Sequence, residues 1–253
     1  MKLLFIGNSF SYDANEYLFE IAKNAGVELE ALNLYIGGCS LERHAKNIKE
    51  NIADYQPQYN GDFYPEYHCT VEEGLRFADW DYVSIQQVSG LSGIYESYYP
   101  FVDTVVDKIK ELCPKAKILM HETWAYEKGA SHGDFPRYES SQERMHEALH
   151  EAYYKVAREV GCADVIPSGD VIMALRRLDT FNVAVGGESL ARDGFHLSLH
   201  HGRYAAAATW FQRLGLGDIE KNSFIPSSAT HRLYGDEKKL AIIKRVVKEI
   251  CSR

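Results

Sequence analysis

The sequence predicts an α/β protein with a three-layer α/β/α, flavodoxin-like architecture and a mostly parallel, five-stranded sheet. Short apolar segments alternate with segments of helical periodicity along most of the chain. This order of elements is typical of a parallel sheet that is covered by helices on both faces. A chain of 253 residues can bury one core of this size, and no repeat, low-complexity tract or linker divides it. We therefore expect a single domain over residues 1–253.

Glycines mark the ends of the predicted elements in the first half of the chain. Gly7 follows the first apolar run, Gly26 follows a helical pattern, and Gly37-Gly38 follow the second apolar run. A tyrosine-rich segment then interrupts the alternation, which is typical of an inserted loop or hairpin. The predicted elements are strands over 2–6 and 28–36, helices over 17–25, 41–53 and 71–78, and the insertion at about 54–69.

The second half of the chain continues the alternation. Pro114 precedes a short apolar run, and Gly161 ends a long, charged, amphipathic helical pattern. Residues 180–195 lack periodicity and are predicted as a loop. The predicted elements are strands over 82–85, 116–120 and 163–166 and helices over 98–113, 138–160, 168–178, 200–213 and 236–251.

The composition argues against two classes of partner. With 28 basic and 36 acidic residues the net charge is −8, and no long basic run occurs. We therefore expect binding neither to nucleic acid nor to anionic membrane surfaces. No segment approaches the ~18–20 consecutive apolar residues of a membrane-spanning helix.

Cysteine usage and the amino terminus predict a cytoplasmic protein. The five cysteines form no CxxC pair and are odd in number, which favours free thiols in a reducing compartment. The apolar run after Lys2 is only about five residues long, whereas a signal peptide needs an apolar region of ~7–15 residues. We therefore interpret the amino-terminal segment as part of the mature sequence.

Two distant fragments contain the residues of a nucleophilic hydrolase. Ser9 follows the first strand within Gly7-Asn8-Ser9-Phe10-Ser11, at a junction between a strand and a helix expected from about Asn15. Ligands bind at this edge of open α/β sheets. Taken alone, Ser9 is equally consistent with a helix-capping or turn serine. The fragment Asp193-Gly194-Phe195-His196 adds a base and an orienting carboxylate, and a serine needs both to act as a nucleophile.

These fragments resemble the serine and Asp-x-x-His blocks of the SGNH hydrolase superfamily, the GDSL-like esterases and lipases. The resemblance covers nearly the whole chain and implies a catalytic triad of Ser9, Asp193 and His196. It also implies an oxyanion hole built from the backbone N–H groups of Ser9 and Gly38, with Gly37 as the alternative. Where the superfamily has an asparagine donor, this chain reads Gln86-Gln87. A glutamine amide can donate the same bond, so the role is assigned to Gln87, with Gln86 as the alternative.

The glutamine pair and the segment His121-Glu122-Thr123-Trp124-Ala125-Tyr126 resemble a less-studied SGNH branch, the DUF4886 group. Glu122, Trp124 and Tyr126 follow the fourth strand and are expected, with Asn8, to line the substrate site. The tyrosines of residues 54–69 and 95–99 would suit stacking on sugars, although packing explains them equally well.

Two further predictions concern metals and substrates. His196, His200 and His201 could form a metal site, but no second ligand pair with metal spacing stands out, and His146 and His150 are expected to face solvent. No metal and no cofactor are therefore expected. The predicted function is a serine esterase acting on small acyl esters, acetyl esters of carbohydrates above all. An acyltransferase using the same acyl-serine and a non-catalytic carbohydrate-binding protein are the alternatives.

Overall fold

The computed structural model describes residues 1–228 and 233–252 and is built around one seven-stranded sheet. Five strands are parallel, and the two strands at one edge are antiparallel. A separate two-stranded ribbon lies near the carboxyl terminus. The strands of the large sheet, in the spatial order β4-β3-β2-β1-β5-β6-β7, are β1 Lys2–Gly7, β2 Glu30–Tyr35, β3 Gln56–Tyr59, β4 Asp62–Phe63, β5 Tyr82–Ile85, β6 Lys117–His121 and β7 Asp164–Ile166, and those of the ribbon are β8 Ser227–Ser228 and β9 Leu233–Tyr234.

The predicted five-stranded sheet is wrong in its strand number. The five predicted strands are all present and parallel, and the tyrosine-rich insertion adds β3 and β4 as a hairpin beside β2. The hairpin turns at Asn60 and Gly61, which have φ angles of 52° and 92°, as the tight turns of hairpins require. Asn60 also joins the hairpin to β2, because its side chain accepts a hydrogen bond from the N–H of Ala31 at 2.9 Å.

Helices cover both faces of the sheet. One layer contains α1, α2, α8 and α9, with α7 packed against α8 and α9, and the other contains α3 to α6. No helix of the described residues is both long enough and apolar enough to cross a membrane. The helices are α1 Ser9–Asn15, α2 Leu18–Asn24, α3 Leu41–Glu50, α4 Val71–Arg76, α5 Phe101–Leu112, α6 Gln142–Val160, α7 Ser168–Arg176, α8 His201–Arg213 and α9 Glu237–Cys251.

The core follows from the continuous burial of the central strand. Leu3, Leu4, Phe5 and Ile6 are all buried although their side chains alternate between the two faces, which is typical of a parallel strand with helices on both sides. On one face, the ring of Phe5 packs edge-on against Trp210 of α8, with ring centroids 4.7 Å apart. The sheet therefore holds β1 rigidly in the middle of the molecule, and the segment that follows β1 leaves from a fixed point.

The helix after β1 begins earlier than the sequence pattern indicated. We expected a helix from about Asn15, but α1 starts at Ser9 itself, and a second helix, α2, follows it. Asn8 caps α1, because its side-chain oxygen accepts a hydrogen bond from the N–H of Phe10 at 3.0 Å. This first helix has only seven residues and few apolar ones, so its sequence shows no clear helical periodicity. Ser9 therefore stands in the first turn of a helix at the carboxyl end of β1.

Candidate active site

Gly7 allows the chain to pass directly from β1 into α1. A Cβ atom at this position would lie 2.3 Å from the hydroxyl oxygen of Ser11, so no larger residue fits without moving the helix. Ser11 is itself buried and donates a hydrogen bond to the backbone oxygen of Asn8 at 2.8 Å. The glycine therefore lets the first turn of α1 fold back onto the strand end, with Ser9 in that turn.

The structure brings Ser9, His196 and Asp193 together. Ser9 Oγ lies 2.9 Å from His196 Nε2, and His196 Nδ1 lies 2.7 Å from Asp193 Oδ2. Because a carboxylate can only accept, Nδ1 carries the proton shared with Asp193, and Nε2 accepts the hydrogen bond of the Ser9 hydroxyl. The expected nucleophile, base and carboxylate thus form one hydrogen-bonded chain in the order that nucleophilic catalysis needs.

The Asp193–His196 loop orients the carboxylate through its own backbone. Asp193 Oδ1 accepts hydrogen bonds from the N–H groups of Phe195 at 3.1 Å and His196 at 2.7 Å. Partial burial acts to raise the pKa of Asp193, but the hydrogen bonds from the His196 ring and from both N–H groups outweigh it and hold the pKa below its usual value. Asp193 therefore stays ionised beside the imidazole. Gly194 closes the loop with a φ of 89°, a conformation that favours glycine.

A buried ion cluster joins this loop to α1. Asp13 is fully buried and accepts the N–H of Leu197 at 2.9 Å. Its carboxylate also accepts hydrogen bonds from Arg192 at 3.0 Å and from Arg203 at 2.8 Å. Asp13 lies one helical turn beyond Ser9, so the cluster sets the distance between the serine helix and the histidine loop. Sequence reasoning did not find Asp13, because its partners lie about 180 residues away in the chain.

The Gly37-Gly38 turn lies beside Ser9, at the end of β2. Gly7 pairs in register with Tyr35, two residues before the turn, and the side chain of Asn8 donates a hydrogen bond to the backbone oxygen of Cys39 at 3.0 Å. Gly38 has a φ of 62° and is exposed. Within residues 1–228 and 233–252, the N–H groups of Ser9 and Gly38 donate to no backbone or side-chain acceptor. Both are free to bind a developing negative charge.

The expected oxyanion donor Gln87 has another role in the structure. Its amide nitrogen donates to the backbone oxygen of Ser97 at 3.0 Å and to the Ser97 hydroxyl at 3.1 Å. Its amide oxygen accepts the N–H groups of Leu41 and Val88, both at 2.9 Å. Both amide hydrogens of this fully buried side chain are therefore occupied, and the geometry argues against the donor role.

Gln86, the alternative donor, belongs to a buried hydrogen-bonded chain that ends at the glycine turn. Gln86 Nε2 donates to Asn8 Oδ1 at 2.9 Å, and Gln86 Oε1 lies 2.8 Å from His121 Nδ1. His121 Nδ1 therefore carries the proton, which leaves Nε2 to accept from the Ser168 hydroxyl at 3.0 Å. Burial lowers the pKa of His121 to about 3, so the ring is neutral. The result is a chain of hydrogen bonds in which each side chain donates to the next, in the order Ser168, His121, Gln86 and Asn8, and Asn8 donates to the backbone oxygen of Cys39.

Three of the four residues expected to line the substrate site are fully buried. Trp124 stacks on Phe10 with centroids 4.4 Å apart and donates from Nε1 to the backbone oxygen of Phe195 at 2.8 Å. Tyr126 packs against Phe195 and shares a hydrogen bond with Ser89 at 2.9 Å. These residues lie beneath the histidine loop and support it. Glu122 points to α6 and α7, where it accepts the N–H of Asp170 at 3.0 Å.

The remaining residue expected to line the substrate site, Asn8, is almost fully buried as well.

Three aromatic residues flank the Gly37-Gly38 turn. Tyr12, Tyr35 and Phe63 form a cluster with ring centroids 5.4 to 5.5 Å apart. Tyr12 lies one turn after Ser9, and the Tyr35 hydroxyl would be 3.2 Å from a Cβ on Gly37. The insertion therefore contributes Phe63 to the site, whereas its tyrosines pack elsewhere: Tyr55 on His44, Tyr59 on Phe77, and Tyr64 on Tyr67. Tyr95 and Tyr99 bind Glu159 of α6.

Two of the histidines that were considered as an alternative metal site have other partners. His196 is engaged with Ser9, and His201 Nδ1 lies 2.6 Å from a carboxylate oxygen of Glu188. The expectation that His146 faces solvent is wrong, because its side chain is only 13% exposed. Within the described residues, Glu122, His146 and Asp170 form a group whose potential ligand atoms lie within 4.8 Å of one another.

The chain belongs to the family described as "Domain of unknown function (DUF4886)", whose profile matches residues 2–241. A crystal structure of a DUF4886 family protein from Bacteroides uniformis is similar over 98% of this chain and 93% of that chain, with 36% identity and a TM-score of 0.89. No curated protein matches the sequence.

More distant structures share the fold. A candidate SGNH hydrolase from Slackia heliotrinireducens matches with a TM-score of 0.58 at 21% identity, over 83% of this chain and 96% of that chain. An acetylxylan esterase from Geobacillus stearothermophilus matches with a TM-score of 0.54 at 16% identity, over 85% and 94% of the two chains. The mostly parallel sheet with its flanking helices is therefore the SGNH hydrolase fold, as the sequence predicted.

Proposed function

We propose that the protein is a serine ester hydrolase with Ser9 as its nucleophile. The observation that carries this proposal is the continuous hydrogen-bonded chain from Ser9 Oγ through His196 to Asp193, with distances of 2.9 and 2.7 Å. A serine hydroxyl is a weak nucleophile without an adjacent base, and the base must itself be oriented. The SGNH hydrolase fold of the chain supports the same conclusion, because esterases are among the proteins that share it.

In the proposed mechanism, His196 Nε2 removes the proton of Ser9 while Oγ forms a bond to the ester carbonyl carbon. The carbonyl oxygen becomes an oxyanion, which accepts hydrogen bonds from the N–H groups of Ser9 and Gly38. The imidazolium then gives its proton to the alcohol oxygen as the carbon–oxygen bond breaks, which releases the alcohol and leaves an acyl-serine. His196 activates a water molecule in the same way to release the acid. Each oxyanion donor contributes typically about 3–4 kcal/mol to transition-state stabilisation.

The electrostatics of the triad favour this cycle. Asp193, whose pKa lies below its usual value, stabilises the imidazolium that forms in each half-reaction. The side chains of His196 and Asp193 are 22% and 39% exposed, so water reaches the base directly.

For the substrate, we propose small acyl esters of carbohydrates, with acetyl as the acyl group. The aromatic cluster of Tyr12, Tyr35 and Phe63 flanks the Gly37-Gly38 turn and is only partly buried. Flat aromatic rings with polar tips suit the apolar faces of sugars. The acetylxylan esterase with the same fold acts on a substrate of this class. Neither a metal nor a cofactor takes part in the proposed steps.

Hydrolysis of p-nitrophenyl acetate tests the proposal. We expect turnover by the unaltered protein and a loss of at least about 10³-fold in Ser9→Ala, because the triad acts as a unit. Ser131→Ala, at an exposed loop serine, is the matched control and should keep full activity. Equal rates for Ser9→Ala and the unaltered protein would rule out Ser9 as the nucleophile. Product analysis with added sugar acceptors separates hydrolysis from acyl transfer.

A further inference from the structure

A second cluster of histidine and carboxylate side chains lies at the carboxyl end of β6. Glu122 directly follows the strand, His146 and His150 lie one turn apart on α6, and Asp170 lies in the first turn of α7. His150 Nδ1 is 3.1 Å from Glu122 Oε1 and 3.1 Å from Asp170 Oδ1, and His146 Nε2 is 3.3 Å from Asp170 Oδ1. Four side chains from three elements thus converge on one point.

The cluster is separate from the proposed catalytic residues. Within the described residues, its four side chains share no hydrogen bond with Ser9 or His196. The preceding residue, His121, bonds Gln86 instead, so β6 directs successive side chains to the two sites. The cluster is therefore not part of the hydrogen-bonded chain proposed for catalysis.

Glu122 is fully buried among the polar groups of this cluster. A buried carboxylate is stable only where hydrogen-bond donors or a positive charge compensate it. One carboxylate oxygen accepts the N–H of Asp170 at the start of α7, and the other faces His150. The Asp170 carboxylate adds a second negative charge to the same point. A protonated histidine or a bound metal ion can supply the positive charge that this pair needs.

The distances between the side-chain atoms suit a tetrahedral metal ion. With metal–ligand bonds of ~2.0–2.2 Å, neighbouring ligand atoms of a tetrahedral zinc site are roughly 3.3–3.6 Å apart. His146 Nε2 and Asp170 Oδ1 are 3.3 Å apart, and the potential ligand atoms of Glu122, His146 and Asp170 all lie within 4.8 Å of one another. A pocket of about 670 Å³, lined in part by His146, His150 and Asp170, gives the cluster an entry path from solvent.

We propose that Glu122, His146 and Asp170 bind a divalent transition-metal ion of the Zn²⁺ class, with His150 as the adjacent fourth donor. The ligand set indicates the class of metal ion, because imidazole nitrogen favours zinc and other late first-row transition metals, whereas Mg²⁺ and Ca²⁺ prefer sites made only of oxygen. The ion links the end of β6 to α6 and to the first turn of α7. Its expected role is to hold these three elements together.

Calorimetric titration of the chelator-treated protein with ZnCl₂ tests the proposal. We expect one ion bound per chain, and at a free Zn²⁺ concentration 100 times Kd a rise in Tm of about 5–10 °C. MgCl₂ at the same concentration should leave Tm unchanged. Absence of Zn²⁺ binding, or an equal response to Mg²⁺, would overturn the assignment.

Substitutions locate the ion. His146→Ala and the nearly isosteric Asp170→Asn should each weaken Zn²⁺ binding at least about 10-fold. His68→Ala, at an exposed histidine outside the cluster, is the matched control and should bind as the unaltered protein does. Circular dichroism establishes whether each variant is folded. If His146→Ala does not fold, the Zn²⁺ affinity of Asp170→Asn alone tests the assignment. Unchanged affinity in a folded cluster variant would show that Zn²⁺ binds elsewhere on the surface.

Discussion

Asn8 makes three side-chain hydrogen bonds that join the segments around Ser9. Its amide oxygen accepts from the N–H of Phe10 and from Gln86 Nε2, and its amide nitrogen donates to the backbone oxygen of Cys39. One residue therefore caps the serine helix and holds the Gly37-Gly38 turn. Its amide orientation depends on Gln86, whose own orientation depends on the neutral ring of His121. At the scale of single residues, these hydrogen bonds behind Ser9 hold the segments that carry the proposed oxyanion donors.

Gln86→Met tests this positioning role. The substitution keeps a side chain of similar volume but removes the hydrogen bonds to Asn8 and His121, so the Asn8 amide loses its fixed orientation. We expect kcat for p-nitrophenyl acetate to fall about 10- to 100-fold while KM changes little, because the donors act mainly in the transition state. A change confined to KM would assign Gln86 to substrate binding instead.

Gln87 shows why the sequence could not separate the two glutamines. Both glutamines directly follow β5, so from the sequence alone either side chain could donate to a bound substrate. The difference lies in their partners, since Gln87 bonds Leu41 at the start of α3 and Ser97 in the following loop. These contacts depend on how distant elements pack, which no local pattern encodes. We predicted Ser9, Asp193 and His196 as one group because their residue types are those that nucleophilic catalysis needs and because the two fragments resemble the SGNH blocks.

At the scale of elements, α1 and the histidine loop are joined through Asp13. Its carboxylate is fully buried between Arg192 and Arg203 and also accepts the N–H of Leu197. Removing a buried partner leaves uncompensated charges and an unsatisfied N–H group. The distance between Ser9 and His196 therefore depends on an ion cluster that contains neither residue.

Asp13→Ala should lower the free energy of unfolding by about 3–5 kcal/mol, as expected for a broken buried ion cluster. Urea denaturation measures the change. Asp54→Ala is the matched control, because Asp54 forms an exposed ion pair with Arg43 and its loss should cost at most about 1 kcal/mol. Similar losses in the two variants would show that the Asp13 cluster is not structurally important.

The β3–β4 hairpin connects the insertion to the site through Phe63. The sequence predicted an inserted loop or hairpin at about 54–69 but not its pairing with β2, because Gln56, Pro57, Gln58 and Asp62 interrupt the alternating apolar pattern of a strand. Phe63→Ala removes one wall of the cluster with Tyr12 and Tyr35, so we expect KM for acetylated sugars to rise several-fold with little change in kcat. Phe77→Ala, at an exposed residue that packs on Tyr59, should leave both constants unchanged. Equal KM values for all three proteins would remove the hairpin from substrate recognition.

At the scale of the whole molecule, the fold class and the five parallel strands followed from the alternation of apolar and helical segments. The packing of α8 against α9 also involves contacts between charged side chains, which the pattern of apolar residues does not predict. Glu188 lies between them, 2.6 Å from His201 Nδ1 and 2.5 Å from Lys239 Nζ. Burial acts to raise the pKa of Glu188, but the bonds to His201 and Lys239 outweigh it and lower the pKa to about 2.

This pKa predicts the direction of an acid effect. Because the folded value of about 2 lies below the unfolded value of ~4.3, the stabilisation by Glu188 is fully present above about pH 4.3 and is lost as the pH falls towards 2. Glu188→Gln should therefore be less stable than the unaltered protein at pH 6, and the difference should shrink below pH 4. Thermal unfolding at a series of pH values measures it. A difference independent of pH would mean that the ion pairs contribute nothing.

Covalent labelling of Ser9 tests the proposed nucleophile in the intact protein. A fluorophosphonate reacts only with an activated serine, so we expect one adduct per chain, located at Ser9 by peptide mass spectrometry, with parallel loss of esterase activity. His196→Ala should label far more slowly, because the hydroxyl loses its base. An adduct at another serine, or rapid labelling of Ser9 that is independent of His196, would show that the Ser9–His196–Asp193 chain is not the catalytic device.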